Sequence, residues 1–175
     1  MTMSTVEADR AYYESGLDEL ERYLLSNELY WPCRAHTPDL TQLTPGGLLL
    51  VRARLRGWRA TGLDTLDSRL DGIRSAWRSA WEGKIRREVH ARSELWREFI
   101  SGYRNDPRGV ARLYPQNVRQ RVIIALLGES SDSMDGLLKN SFRSGAFIWD
   151  ANVQGGFPQT DFWFLYGNLN TEEQS

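Results

Sequence analysis

Residues 64–103 read DTLDSRLDGIRSAWRSAWEGKIRREVHARSELWREFISGY. No proline interrupts them. Apolar side chains recur at Leu66, Leu70, Ile73, Trp77, Trp81, Ile85, Val89, Trp96, Phe99 and Tyr103. Steps of mostly three and four place these on one face of an α-helix. About forty residues rising ~1.5 Å each make a helix on the order of 60 Å long. A helix of that length outruns one compact core, so shorter helices are expected along it. The fold class that follows is all-α: a helical bundle organised along one long central helix, about 64–103, with an aromatic-rich, partly irregular C-terminal segment.

The flanking sequence supplies the shorter helices. Residues 5–25 place Val6, Tyr13, Leu17, Leu20 and Leu24 on a stripe, with Ser4 or Thr5 as cap and Glu14, Asp18, Glu19 and Glu21 outward. Residues 26–44 contain Pro32 and Pro38 and read as a long loop, anchored by Leu29-Tyr30-Trp31. Thr44-Pro45 is a capping threonine followed by proline at the first helical position. The helix it opens carries Leu48, Val51, Leu55 and Trp58 on one face and ends at the Thr61-Gly62 turn. Residues 116–127 are apolar over most of a helix circumference and should be buried, with Gly128 as the stop. A short helix is expected over 137–142. From Phe142 to Tyr166 eight of 25 residues are aromatic. There FIWD reads as extended, and a last helical turn runs from Thr160 towards Gly167.

Length and composition bound the class. At 175 residues, 41% of them apolar, the expectation is a single α-helical domain spanning 1–175. No apolar run approaches the roughly 18 residues of a membrane span, so no membrane is expected. The first ten residues lack the basic cluster and apolar core of a secretory signal. Cys33 is the single cysteine, which fits a reducing, cytoplasmic setting.

The net charge of -1 conceals a pattern. Residues 1–51 carry net -5, residues 52–121 net +9 and residues 122–175 net -5. Arginine supplies almost all the positive charge; Lys84 and Lys139 are the two lysines. Either the acidic ends neutralise the basic middle, or a basic strip meets an acidic partner or nucleic acid.

Recognisable chemistry is sparse, and no catalytic, cofactor or metal constellation emerges. Cys33 and His36 form a lone C-x-x-H, short of the four ligands of structural zinc. Asp67 and Asp71 are one helical turn apart, where acids ordinarily complement the helix dipole. His90 sits opposite the apolar stripe, four residues from Glu94.

Two surfaces remain. One is a strip of small residues on the back of the long helix: Gly72, Ala76, Ser79 and Gly83, with Arg78, Arg86 and Arg87 beside it. The other is the basic 52–97 region, led by Arg52, Arg54, Arg56 and Arg59, where arginine interleaves with tryptophan in the manner of nucleic-acid contacts. The expected function is a non-enzymatic interaction protein, a small subunit or adaptor in a larger bacterial assembly, meeting a protein partner or a second copy of itself. The alternatives are a nucleic-acid-binding accessory protein, and a small-molecule binder or enzyme with a pocket walled by the C-terminal aromatics.

Overall fold

The computed structural model describes residues 4–128, 147–149 and 156–169. Among these are seven α-helices and two small antiparallel sheets, so the chain is mainly helical. It divides into two compact units, with the division along the main chain between His90 and Ala91.

The first unit begins with α1 (Val6–Leu25), where Thr5 accepts a hydrogen bond from the Ala8 N–H. Tyr12, Tyr13, Leu17, Leu20 and Tyr23 are buried on its inner face. The segment expected to be a loop is a β-hairpin: β1 (Trp31–Thr37) pairs with β2 (Leu40–Leu43) in the register Trp31↔Leu43, Pro32↔Gln42 and Thr37↔Leu40. In a two-stranded sheet both strands are edges, which is where proline is tolerated. Trp31, Cys33, Ala35 and Thr37 alternate as a strand requires. Pro38 occupies the turn rather than breaking a helix. The Thr37 hydroxyl donates to Asp39 Oδ1 at 2.8 Å and accepts from the Leu40 N–H at 3.0 Å, closing the turn.

Helix α2 (Pro45–Gly57) starts as expected, with Thr44 Oγ1 accepting from the Gly47 N–H. It crosses α1 closely. A Cβ added at Gly47 would stand 2.4 Å from the Tyr12 hydroxyl, which is itself held to the Gln42 carbonyl at 2.7 Å. Gly156, at φ 98°, lies against α2, where a Cβ would meet the Ala53 carbonyl oxygen at 2.3 Å.

The long central helix is two helices. α3 (Leu63–Ala76) and α4 (Arg78–Asn105) meet at Trp77, whose backbone departs to φ -114°, ψ 36°. The Trp77 N–H still bonds to the Ile73 carbonyl, and the Trp81 N–H to that of Trp77, each at 2.9 Å. The spacing of the stripe explains the elbow. Ile73, Trp77 and Trp81 are two successive four-residue steps, which carry a stripe about 80° around a straight helix. A break at Trp77 takes up that rotation. Beyond it, the buried face runs through Trp81, Lys84, Glu88, Arg92 and Trp96, one residue away from the expected Ile85 and Val89, which are half-buried.

In the second unit, Trp96 and Phe99 of α4 stack at 5.4 Å beside Tyr114. Asp106 caps the short α5 (Pro107–Ala111). α6 (Tyr114–Leu126) buries Val118, Val122, Ile123 and Ile124 as its composition indicates, and Gly128 at φ 87° follows its end. β3 (Phe147–Trp149) is the extended piece at FIWD, and it pairs with β4 (Gly167–Leu169). Between Phe157 and β4 lie α7 (Gln159–Phe162) and a 3-10 turn (Trp163–Leu165). The Tyr114 hydroxyl donates to the Phe164 carbonyl, and Arg121 lies 4.7 Å over the Phe164 ring. The helix expected over 137–142 lies outside the described residues.

Replacing Gly47 with alanine should lower stability by about 1–3 kcal/mol, because neither the tyrosine nor the helix it touches has room to yield. The shift in denaturation midpoint at constant slope measures it.

Candidate functional site

Of the four arginines that the sequence offers for an external ligand, Arg52, Arg54, Arg56 and Arg59, the fold pairs three internally. Arg54 is enclosed: its side chain is 1% exposed, beside Asp9 at 0% and Asp39 at 4%. Its Nε and Nη2 donate to the two oxygens of Asp9 at 2.7 and 2.8 Å. Nη1 donates to Asp39 Oδ2 at 2.9 Å. One guanidinium thus joins α1, the hairpin turn and α2. Burial pushes the Asp9 carboxyl above its ordinary range, with Arg54 pulling against it. Burial also works against the charge on Arg54, but Asp39 and Asp9 outweigh it and hold the guanidinium firmly protonated.

Arg52 and Arg56 turn to α3. Arg52 Nε lies 3.0 Å from Asp67 Oδ1 and its Nη2 3.7 Å from Asp71 Oδ2. Arg56 Nη2 donates to Asp67 Oδ2 at 2.6 Å. Tyr13 completes the group, donating to Asp67 Oδ1 at 2.9 Å. Burial opposes ionisation of Asp67, yet the hydrogen bonds from Arg56 and Tyr13 and the charge of Arg52 prevail, so its carboxyl is held below the usual range. Burial, reinforced by Asp67, pushes the Tyr13 phenol well up. The D-x-x-x-D pair is therefore an ion-pair anchor between α2 and α3. Arg59 alone of the four has no side-chain partner among the described residues.

A charged row that the sequence hides runs under α4. Lys84, Glu88 and Arg92, spaced by four, are all buried. Lys84 Nζ donates to the Ser26 carbonyl at 2.9 Å and to the Glu28 carbonyl, and lies 4.2 Å over the Tyr23 ring. It closes the C-terminal end of α1, where a cation suits the helix dipole. Burial, then Arg87, lowers its pKa. Glu88 Oε2 accepts from the Gly46 N–H at 2.8 Å, placing an anion at the first turn of α2. Arg92 donates to Gln120 of α6 at 2.6 Å.

The small-residue strip lies on the opposite side. Gly72, Ala76 and Ser79 are exposed and Gly83 half-buried. Among the described residues, a Cβ at Gly72 would meet nothing within 4 Å, and one at Gly83 only the tip of Arg86 at 3.9 Å. Beside the strip, where α3 meets α4, lies an open cleft of about 470 Å³. Trp81 lines it, with Arg74 5.1 Å over its ring. Arg78 lines it too; its side chain is 81% exposed and pairs with Glu82 at 3.0 Å. Arg86 is exposed, and Arg87 donates to the Asn27 carbonyl at 2.8 Å. The structure thus brings Gly72, Ala76, Arg78, Ser79 and Gly83 onto adjoining turns of one surface.

His36 and His90 are exposed, and Cys33 is buried with its thiol 3.5 Å from the Ser15 hydroxyl. Among the described residues no three His, Cys, Asp or Glu side chains gather to hold a metal ion, and no helix is long and apolar enough to cross a membrane. No protein-family model matches the chain, and no curated protein or solved structure does either.

Arg54→Ala should cost about 3–5 kcal/mol, because it strands two buried carboxylates. Exchanging the triad together as Asp9→Leu, Arg54→Met and Asp39→Leu should cost far less, since no charge is left without a counter-charge. Urea denaturation of the two variants separates the cases. Asp67→Asn should cost about 1–3 kcal/mol near neutral pH. Because the folded carboxyl titrates below its unfolded value, that contribution is complete above about pH 4 and disappears as the pH falls through the folded value. Melting temperatures of the variant and the parent should therefore converge in acid.

Proposed function

We propose that the protein is a non-enzymatic interaction module, a small subunit or adaptor, and that its partner seats a helix on the strip running from Gly72 to Gly83. The observation that supports this is the emptiness over the two glycines. Each lies inside a helix, where glycine costs about 1 kcal/mol relative to alanine. Gly47 shows what a packing glycine looks like in this fold, with a phenol against it; Gly72 and Gly83 have no such neighbour among the described residues. Small residues let a second helix backbone come close. Arg78 and Arg86, both exposed, flank the approach and favour an acidic partner face.

The reading of residues 52–97 as a nucleic-acid contact has fewer free charges to draw on, since Arg54 is enclosed and Arg52 and Arg56 are paired within the fold. Phe162 and Phe164, expected among the walls of an aromatic pocket, are buried.

The test is the double variant Gly72→Leu, Gly83→Leu. Leucine favours the helix and meets no obstacle, so the thermal midpoint should hold or rise. Self-association in sedimentation, or capture of a specific protein from the host, should be lost. Retention of both interactions with an unchanged fold would sink the proposal.

A further inference from the structure

At the other end of α2, the chain keeps an arginine where the backbone asks for glycine. The Arg59 N–H bonds to the Arg56 carbonyl and the Ala60 N–H to the Leu55 carbonyl, each at 3.0 Å. These two bonds make a complete Schellman motif, whose left-handed position Arg59 occupies at φ 54°. It is the one non-glycine residue with positive φ among the described residues. Glycine takes that conformation without steric cost and an L-side chain does not. Strain of this kind, where a simpler residue would serve, points to a use for the side chain.

The side chain lines an open pocket of about 520 Å³ between the first turns of α1 and the α2–α3 turn. Two of the four charges around this pocket are spoken for: Arg10 lies 4.0 Å from Glu14 and donates to the Thr61 carbonyl. The other two are Arg59 and Glu7. Neither side chain has an ion-pair or hydrogen-bond partner among the described residues, and they do not pair with each other. One free cation and one free anion thus face the same opening. Val6, Ala11 and Ala60 supply an apolar wall.

We infer that this pocket binds a small zwitterion, a free α-amino acid with an aliphatic side chain. Arg59 takes its carboxylate through the two-pronged guanidinium. Glu7 takes its ammonium, and the side chain rests on Val6, Ala11 and Ala60. The volume lies within the range of small-molecule pockets. The site is separate from the α3–α4 strip and does not depend on it.

The test is calorimetry and thermal denaturation of the full chain with L-leucine and L-valine. Isovalerate serves as the carboxylate alone, isobutylamine as the amine alone, and glycine betaine as a zwitterion without N–H donors. Leucine or valine should bind and raise the melting temperature, and the single-charge analogues should bind at least about tenfold more weakly. Betaine should fail with Glu7 for want of a donor. Arg59→Gly should raise the melting temperature of the unliganded protein by about 2–4 °C through relief of strain, while abolishing the response to leucine. Glu7→Gln should weaken leucine but leave isovalerate unchanged. No binding by either amino acid, equal binding of leucine and isovalerate, or a leucine response that survives Arg59→Gly would each overturn the inference. The Gly72→Leu, Gly83→Leu variant should keep the leucine response, so the two surfaces fail or succeed separately.

Discussion

A single guanidinium holds the first unit in register. Arg54 reaches α1 through Asp9 and the hairpin turn through Asp39, in surroundings with almost no water. Three charges in such a place are tolerable only with near-complete hydrogen bonding, because each would otherwise lose its hydration without return. That requirement fixes angles as well as distances. The two bonds to Asp9 are parallel, so α2 cannot rotate against α1 without breaking one. The close crossing at Gly47 and the ion pairs from Arg52 and Arg56 to α3 then follow from an orientation already set.

The charged row of α4 applies the same economy to helix ends. Lys84 sits where the carbonyls of α1 run out, and Glu88 where the first amides of α2 stand unpaired. Each helix terminus leaves backbone groups without intrahelical partners. Here one neighbouring helix supplies both signs of charge, in the order the two termini need them. The acidic N-terminal third and the basic middle neutralise each other inside the fold, where Arg54 meets Asp9, as well as over its surface, where Arg69 meets Asp18.

The residues that were legible in the sequence are those governed by local rules. Thr5, Thr44 and Pro45 announce their helices, the apolar crowding of α6 announces its burial, and the small residues of the strip lie on the side their spacing assigns them. What escaped depends on partners distant along the chain. Lys84 and Glu88 look like a solvated face until the ends of α1 and α2 are placed beneath them, and Arg92 until α6 is. The hairpin escaped because Pro32 and Pro38 mask the alternation from Trp31 to Thr37, and proline rules hold less strictly at a sheet edge. The elbow at Trp77 escaped because a run of three- and four-residue steps looks continuous until the accumulated rotation is counted. Arg59 offered no signal at all: nothing in RGWRATG says which residue of the turn must take the left-handed conformation.

The enclosed arginine also bears on the order in which the chain is made. Its partners are residues 9 and 39, so every member of the triad has been synthesised by residue 54, well before the first residue of α4. Elements near the N-terminus tend to fold first during synthesis. Since Asp9 or Asp39 buried without Arg54 would be a charge with no counter-charge, α1 and the hairpin have reason to close only once α2 is in place. The emerging chain would thereby gain a cooperative nucleus, built from contacts no more than about fifty residues apart, onto which the later helices add as they leave the ribosome.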